Sequence, residues 1–212
     1  RIGIAIAGSE AEALEKYFQQ EGETAAKSAF TAVGHEFNLA SPKQLQEVLF
    51  TELKLPKTKK IKTGFTTDAD ALNWLMTTTN HPVLAAILRS RDVSKLKSVV
   101  EGLRRAVESD GRVHTTFQQM VTATGRLSST DPNLQNIPIR TEEGRRIRNL
   151  FVAGAGFESL MTADYSQIEL RIMAHLSDDK ALLNAFAEGE DLHTTVGAEV
   201  FGVKPSEVDA QM

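Results

Sequence analysis

Cysteine is absent from the 212 residues, which excludes disulfide bonds and thiolate metal sites. Long hydrophobic runs are absent as well. The apolar stretch at residues 1–8 is too short for the full pattern of a signal peptide and far too short to span a bilayer. Together these absences favour a cytoplasmic protein that makes no contact with a membrane.

An excess of basic charge is also lacking, because 24 lysines and arginines face 28 acidic residues and leave a net charge of −4. A generally sticky nucleic-acid binder is therefore not expected, and any such site must come from local basic clusters. The length and the 41% hydrophobic content suit one or two globular units. Since the chain starts without Met and ends in a polar run, we expect a fragment of a longer protein.

Helical periodicity and capping signals dominate residues 1–110. Gly34 is expected to end the first helix. The helices predicted in this part lie at residues 9–30, 42–53, 67–77 and 83–108. A helical subdomain is therefore expected over residues 1–110.

A turn signal at residues 109–111 separates this part from a second one with strand periodicity. An ordered loop is predicted at residues 127–141. The predicted strands lie at residues 113–121, 148–152 and 159–163, and the predicted helices at residues 178–187, 193–201 and from Pro205. The fold class is thus α+β, with a small antiparallel sheet flanked by helices over residues 111–212.

Basic residues cluster in one segment, which is punctuated by Pro56 and closed by Gly64 and is therefore predicted to be an exposed loop. Its five lysines are Lys54, Lys57, Lys59, Lys60 and Lys62. A charge run of this kind is often only a solvated surface. If the loop has a ligand, phosphates suit it better than bases, because an ammonium is a point charge without a planar fork.

One acidic residue lies where a short apolar run meets a helix. Residues 159–163 are predicted to form a buried strand, and Asp164 follows directly. Ser166 and Glu169 then have the spacing of a capping box. The following helix is predicted to bury an apolar face formed by Ile168, Ile172 and Leu176. A carboxylate at such an edge can hold a hard cation such as Mg²⁺ together with substrate phosphates, although a single Asp there is also a common turn or cap residue.

Three strings carry a resemblance to a known family. They are DYSQIELR at residues 164–171, TATGRLSSTDPNLQNIP at residues 122–138 and EEGRRIR at residues 142–148. The first is similar to the first palm motif of family A DNA polymerases, the bacterial DNA polymerase I group, and the other two support it. The close resemblance covers residues 38–212, with a looser match before them. It implies a thumb over residues 1–110, which grips DNA with the loop at 54–64, and part of a palm over residues 111–212.

The resemblance implies template-directed transfer of dNMP to a primer 3′-hydroxyl, with Mg²⁺ as cofactor and with primer–template DNA and dNTP as partners. We also expect a monomer in the bacterial cytoplasm, associated with the nucleoid. In the family a second carboxylate comes from a later His-Asp-Glu motif, and a later fingers helix binds the triphosphate. This sequence contains neither. The isolated chain is therefore expected to bind primer–template weakly and to be inactive as a polymerase.

The resemblance assigns roles around Asp164, which is implied as a catalytic residue. Its carboxylate and the backbone carbonyl of Tyr165 are implied as metal ligands, which is one half of a two-metal site. The implied nucleotide-binding residues are Tyr165, Ser166, Gln167, Glu169 and His193. Glu169 keeps two alternatives: the third residue of a capping box, or a catalytic residue in a sugar pocket that excludes a ribose 2′-hydroxyl. His193 also has the alternative of a helix cap or a surface residue.

The resemblance implies a second set of residues that contact DNA. Arg126 is implied at the primer end, where its donors can use minor-groove acceptors that occur at every base pair. The other implied residues are Asn133, Gln135 and Asn136 near the duplex, and Lys57, Lys59, Lys60 and Lys62 at its backbone. Arg126 has the alternative of an ion pair with Asp131 or a surface glutamate. A further basic group is partly offset by Glu142 and Glu143, and structural ion pairs explain some of its members at least as well as DNA does. Its members are Arg140, Arg145, Arg146 and Arg148.

Two other functions fit parts of the sequence. A non-catalytic duplex-binding module would have no need of Asp164. A metal-dependent phosphohydrolase would need it, but would leave the lysine loop and the string at residues 122–138 unexplained. Asp178 and Asp179 are not expected to replace the missing carboxylate, because after a cap at Ser177 they are typical first-turn acids that favour the helix dipole.

Overall fold

The computed structural model describes residues 2–189 and 191–209, and within them the side chains of all but residues 193, 195, 199 and 205. The chain forms two units, Arg1–Leu160 and Met161–Met212. The subdomain boundary expected near residue 110 stays a prediction. The helices are α1 (Gly8–Val33), α2 (Pro42–Gln46, continued by a π-helix over Glu47–Glu52), α3 (Ala69–Thr79), α4 (Pro82–Arg105), α5 (Glu142–Arg148), α6 (Ile168–Ser177), α7 (Lys180–Ala187) and α8 (Leu192–Phe201), with a 3₁₀ turn at Pro205–Glu207. The strands are β1 (Ile4–Ile6), β2 (Lys60–Ile61), β3 (Gly64–Phe65), β4 (Arg112–Val113), β5 (Thr116–Gln118), β6 (Ser128–Thr130) and β7 (Phe151–Val152).

Two long helices, α1 and α4, pack along each other in the first unit. Their apolar side chains recur at helical spacing and form one buried core. α1 contributes Leu14 and Phe18 to this core, and α4 contributes Val93, Val100 and Leu103. α1 ends at Gly34 as expected, because a φ of 96° suits glycine and its N–H donates to the Phe30 carbonyl at 2.7 Å.

A second core lies where α2, the π-helix, α3 and the start of α4 meet. Its fully buried side chains include Leu45, Leu49, Leu72, Leu75, Leu84 and Ile87. Local caps set where these helices begin: the Ser41 hydroxyl accepts from the Gln44 N–H at 3.4 Å, and the Asp68 carboxylate accepts from the Ala71 N–H at 2.8 Å. The helices expected in this part of the chain are therefore confirmed.

The N-terminal apolar run forms β1, the central strand of an antiparallel sheet in the order β4-β1-β7. Ala5 pairs with Arg112 on one side and with Val152 on the other. The sequence pattern assigns no element to this run, because its hydrogen-bonding partners are distant in sequence. With two further antiparallel pairs, β2–β3 and β5–β6, the described strands confirm the expected α+β class.

Two expected strands are shorter than predicted, and one expected loop contains a strand. The strand expected at 113–121 is divided into β4 and β5, because Thr115 turns away to bond Ser129 and the chain passes from one sheet to another. β6, within the loop expected at 127–141, then pairs with β5. Of the strand expected at 148–152, only the part that forms β7 is paired with another strand. Arg148 is instead the last residue of α5, a helix that is capped by Thr141.

The strand expected at residues 159–163 is wrong. These residues have no regular secondary structure and are exposed, with Met161 at 88%. An extended segment needs a neighbouring strand to pair its backbone groups, and within the described residues none lies beside this one. Apolar, β-compatible side chains are therefore not sufficient to make a strand here.

The second unit contains α6, α7 and α8. The face of α6 that was expected to be buried remains open, with Ile172 at 50% and Leu176 at 78% exposure, whereas Ala174 is buried. The cap expected at Ser177 is also wrong. Asp179 caps α7 by accepting from the Ala181 and Leu182 N–H groups, while Asp178 ends α6 with a positive φ that precludes a first-turn position.

No helix among residues 2–189 and 191–209 is both long enough and apolar enough to cross a membrane.

One arginine of α4 joins three helices. Arg89 donates to Glu21 of α1 at 2.7 Å and to Glu143 of α5 at 2.8 Å. The hydrogen bond from Arg89 holds the pKa of Glu143 below its ordinary value of 4.5. A carboxyl whose pKa is lowered by folding stabilises the fold above its unfolded pKa, and this stabilisation is lost as the pH falls through the lowered value.

We expect Glu143→Gln to lower the free energy of unfolding at pH 7 by about 0.5–1 kcal/mol, because the partly screened ion pair is lost. The difference from the parent chain should shrink as the pH falls below 4.5, the ordinary pKa of the group. Denaturant unfolding at a series of pH values measures this. Glu142→Gln, on the exposed side of the same helix, serves as the control, and a pH-independent difference for Glu143→Gln would contradict the assignment.

Candidate nucleic-acid and metal site

The lysine segment is exposed as expected, but its end is a β-hairpin rather than an irregular loop. Strands β2 and β3 are joined by a two-residue turn, Lys62 and Thr63. Lys57, Lys59, Lys60 and Lys62 are exposed. No described residue forms an ion pair with any of them, so their charges are available to a ligand.

The hairpin is anchored to the helical part of the unit through Gln46 of α2. The Gln46 side-chain oxygen accepts from the Phe65 N–H at 3.1 Å. Phe65 contacts Phe50 of the π-helix edge to face, at 5.4 Å between ring centroids, and the Lys57 ammonium lies 5.2 Å from the Phe65 centroid. One lysine is therefore held in place by a cation–π contact before any ligand binds.

Arg126 lies at the end of a tight turn between β5 and β6. The Gly125 N–H donates to the Thr122 carbonyl at 3.3 Å, and the Thr122 hydroxyl donates to the Arg126 carbonyl. Both bonds constrain the backbone and leave the arginine side chain exposed. The chain thus presents this side chain from a constrained turn.

The amide residues that follow are partly committed to structure. Gln135 accepts from the Ser129 N–H at 3.2 Å and donates to the Leu127 carbonyl at 2.9 Å, which holds β6 in place. Asn133 accepts from the Gln135 N–H at 2.9 Å, whereas Asn136 is exposed and has no hydrogen bond to a described residue. A contact from Gln135 to DNA would use its remaining amide proton.

The second basic group lies on and before α5. Arg146 lies over the Tyr17 ring, at 4.2 Å from the centroid, and Arg145 pairs with Glu142 at 3.1 Å. These two arginines therefore have structural partners, which is the alternative to DNA contact that the sequence analysis kept. Arg140 and Arg148 are exposed and form no ion pair with a described residue.

Asp164 lies in an exposed segment just before α6, and no described residue hydrogen bonds to its carboxylate. The segment is held by Arg171, which donates to the Ser166 carbonyl at 2.9 Å while its guanidinium lies 4.5 Å from the Phe186 centroid. Tyr165, between Asp164 and Ser166, is 80% exposed. The carboxylate is thus accessible, and its backbone is held by a side chain of the following helix.

The capping box expected from Ser166 and Glu169 is wrong. α6 begins at Ile168, and its N-cap is Gln167, which has a φ of 53° and makes no side-chain cap. Because Gln167 takes the cap position, the Ser166 hydroxyl is one residue too early to reach the helix amides. Glu169 therefore lies in the first turn of α6, and the helix-cap alternative for it is removed.

A bond that sequence reasoning missed joins this segment to the start of α8. The Gln167 amide donates to Asp191 at 2.8 Å, and the other Asp191 oxygen accepts from the Thr194 hydroxyl at 3.1 Å. The sequence feature that could have indicated this bond is the spacing of Asp191 and Thr194, three residues apart at a helix start. His193 lies in the first turn of this helix, but its side chain falls outside those described.

The carboxylates of residues 2–189 and 191–209 do not by themselves complete a metal site. Among the described residues no group of three His, Asp or Glu side chains could hold a metal ion. Asp164 and the Tyr165 carbonyl supply two neighbouring oxygens in an exposed position. Two oxygens are too few to hold two metal ions. They could serve only as part of a two-ion centre whose other ligands come from elsewhere.

An exposed lysine hairpin and an arginine on a constrained turn carry side chains of the kind that bond nucleic-acid phosphates, and an accessible carboxylate before a helix can contribute to holding Mg²⁺. The chain matches the family described as DNA polymerase family A over residues 9–212. It therefore belongs to DNA polymerase family A, as the three strings predict, and the match begins well before residue 38.

Named relatives agree with this assignment. The chain is 57% identical over 210 residues to DNA polymerase I of Mycobacterium tuberculosis, covering 99% of this chain and 23% of that protein. It is 47% identical to DNA polymerase I of Treponema pallidum, covering all of this chain and 21% of that protein. A solved structure described as the POL domain of Pol1 from M. smegmatis in complex with DNA primer-template and dNTP superposes with a TM-score of 0.92 at 57% identity, over 99% of this chain and 37% of that one. The chain thus spans less than a quarter of the length of these two curated relatives.

The geometry of the hairpin predicts a sensitive position at Gly64. Its φ is 124°, and an added Cβ would lie 1.9 Å from the Gln46 oxygen that accepts from Phe65. Gly64→Ala should lower the free energy of unfolding by about 2–3 kcal/mol, because backbone strain adds to the loss of this bond.

The matched control is Gly34→Ala, which has a φ of 96° but open space around its Cβ. It should cost only about 1 kcal/mol, from backbone strain alone. Denaturant unfolding of both variants measures the difference, and equal costs would contradict the anchoring role of Gln46.

Proposed function

We propose that this chain is part of a DNA-directed DNA polymerase, which transfers dNMP from a dNTP to a primer 3′-hydroxyl under the direction of a template. The observation that carries the proposal is family membership over residues 9–212, together with an accessible Asp164 at the position of the family's first palm motif. Residues 1–110 would serve as a thumb and residues 111–212 as part of a palm. We further propose that it acts as a monomer on primer–template DNA in the bacterial cytoplasm, at the nucleoid.

The proposed DNA contacts fall into two groups. Lys57, Lys59, Lys60 and Lys62 would contact the phosphate backbone, and their exposure without ion-pair partners among the described residues supports this. Arg126, Asn133, Gln135 and Asn136 would contact the primer end and the nearby duplex. Their amide and guanidinium donors suit minor-groove acceptors, which do not depend on sequence.

The proposed catalytic group is Asp164, acting as a ligand of Mg²⁺ with the Tyr165 carbonyl. Bound Mg²⁺ neutralises phosphate charge in such reactions. Because no group of three His, Asp or Glu side chains among the described residues could hold a metal ion, we propose that Asp164 shares the ion with further ligands. Asp164 itself is exposed and already held by the Arg171 contact to Ser166.

The proposed nucleotide pocket uses the segment that follows Asp164. Tyr165, Ser166, Gln167 and Glu169 would line it, and His193 would contact the phosphates from the start of α8. The Gln167–Asp191 bond supports this grouping, since it joins the segment to the start of α8. With the capping alternative removed, we propose that Glu169 lies at the sugar and excludes a ribose 2′-hydroxyl.

A second candidate applies to the chain by itself. The lack of a three-ligand metal site among the described residues favours a duplex-binding module without catalysis when the 212 residues are isolated. We therefore propose that the isolated chain binds primer–template weakly and does not extend it. Extension of a primer by the isolated chain would refute this.

The backbone contact is tested by replacing Lys57, Lys59 and Lys62 with Gln. If all three meet phosphates, the slope of log K against log salt for duplex binding should flatten by nearly three, about 0.9 for each contact. Fluorescence anisotropy of a labelled duplex measures this. The control replaces three exposed lysines outside the hairpin, Lys27, Lys43 and Lys95, with Gln. An equal change in the control would show that only net charge matters.

The catalytic role is tested by Asp164→Asn in the longer protein that contains this chain. Primer extension should fall by about 10³-fold, because a metal contributes several kcal/mol of charge stabilisation. Duplex affinity should be preserved, since Asp164 is not proposed to contact DNA. Asp178→Asn, at the exposed end of α6, is the control. Retained extension by Asp164→Asn would contradict the polymerase assignment.

A further inference from the structure

Trp74 is the only tryptophan of the chain, and 48% of it is exposed. It lies on α3, directly after the lysine hairpin in sequence. Its indole N–H has no hydrogen bond to a described residue. An indole so open to water has a broad apolar face that the fold does not use, which makes it a candidate contact for a ligand.

Trp74 lines a cleft of about 400 Å³ together with residues of the lysine segment. Lys57, Thr58 and Lys59 form one side, and Asp70 and Ala71 of α3 lie beside the indole. The volume falls within the range of small-ligand sites. The cleft therefore combines an aromatic face with two cations.

The charges of the cleft favour an anion at its lysine side. The Lys57 ammonium is held over the Phe65 ring at 5.2 Å, so little side-chain ordering remains to be lost on binding. Asp68 also lines the cleft, and its carboxylate stays ionised while it accepts from the Ala71 N–H and the Thr66 hydroxyl. Asp70 is the other acid of the lining, so the two acids equal the two lysines in number and an anion is favoured only beside Lys57 and Lys59.

We propose that this cleft binds an unpaired nucleotide, with its base stacked on Trp74 and its phosphate at Lys57 and Lys59. Single-strand sites combine cations along the backbone with aromatic side chains on which bases stack. A paired base within a duplex cannot offer its face to the indole, so single-stranded DNA is the occupant. The inference rests on the proposed nucleic-acid contact of the lysine hairpin. It adds a preference for an unpaired nucleotide, which contacts to the phosphate backbone alone would not give.

The single tryptophan makes the test direct. Titration of the 212-residue chain with a short oligothymidylate should quench Trp74 fluorescence at saturation, since a stacked base quenches the indole. Trp74→Ala should weaken binding of the labelled oligonucleotide by about 10-fold or more, and Trp74→Phe should recover most of that loss. Phe157→Ala removes another exposed aromatic ring that lies next to a cation, Arg112, and should leave the affinity unchanged.

Blunt duplex binding by the same variants separates this inference from the proposed function. Trp74→Ala should keep its duplex affinity within about twofold of the parent chain. If duplex binding persists but the oligonucleotide neither quenches Trp74 nor binds more weakly to Trp74→Ala, the single-strand site is refuted alone. If neither the parent chain nor any variant binds duplex, the proposed function and the single-strand site both fail. Equal losses for duplex and single strand in Trp74→Ala would show a general DNA contact and also refute the site.

Discussion

Burial of one face of α1 against α4 is the contact on which the first unit depends. The helices run in opposite directions, since Phe18 shares one core with Val93 while Ala29 shares the other with Val83. Along α4, the buried residues within 83–87 belong to the second core and those within 93–103 to the first. The sheet begins at one end of this pair, and the lysine hairpin is anchored through Phe50 at the other. The helix pair therefore lies between the lysine hairpin and the sheet.

The second unit is organised by different forces. Asp164 is accessible because its backbone is held by polar contacts rather than by a sheet: Arg171 binds the Ser166 carbonyl, and Gln167 binds Asp191. The apolar residues of α6 remain largely exposed. Such polar contacts can define a position without covering it. The Gln167–Asp191 bond also joins this segment to the start of α8, the helix that carries His193.

Local signals predicted the helices well. Ser41 with Pro42, Asp68 and Gly34 act through bonds within four residues, so each can be identified from a short window of sequence. Strand prediction was poorer. β1 could not be assigned because its partners lie more than a hundred residues away, while residues 159–163 have a strand-like composition and no partner. The Ser166 and Glu169 spacing misled for a related reason, since the backbone of Gln167 shifted the helix start by one residue.

The candidate site divides in the same way between sequence and tertiary structure. The sequence by itself determined the family, the identity of Asp164, Arg126 and the lysines, and the helical character of the first part, because these depend on residue type and short spacing. Only the tertiary structure decided that Gln135 supports β6, that Glu169 is not a cap, and that Trp74 shares a cleft with Lys57. Each of these outcomes depends on hydrogen bonds or packing between segments, which no local pattern encodes.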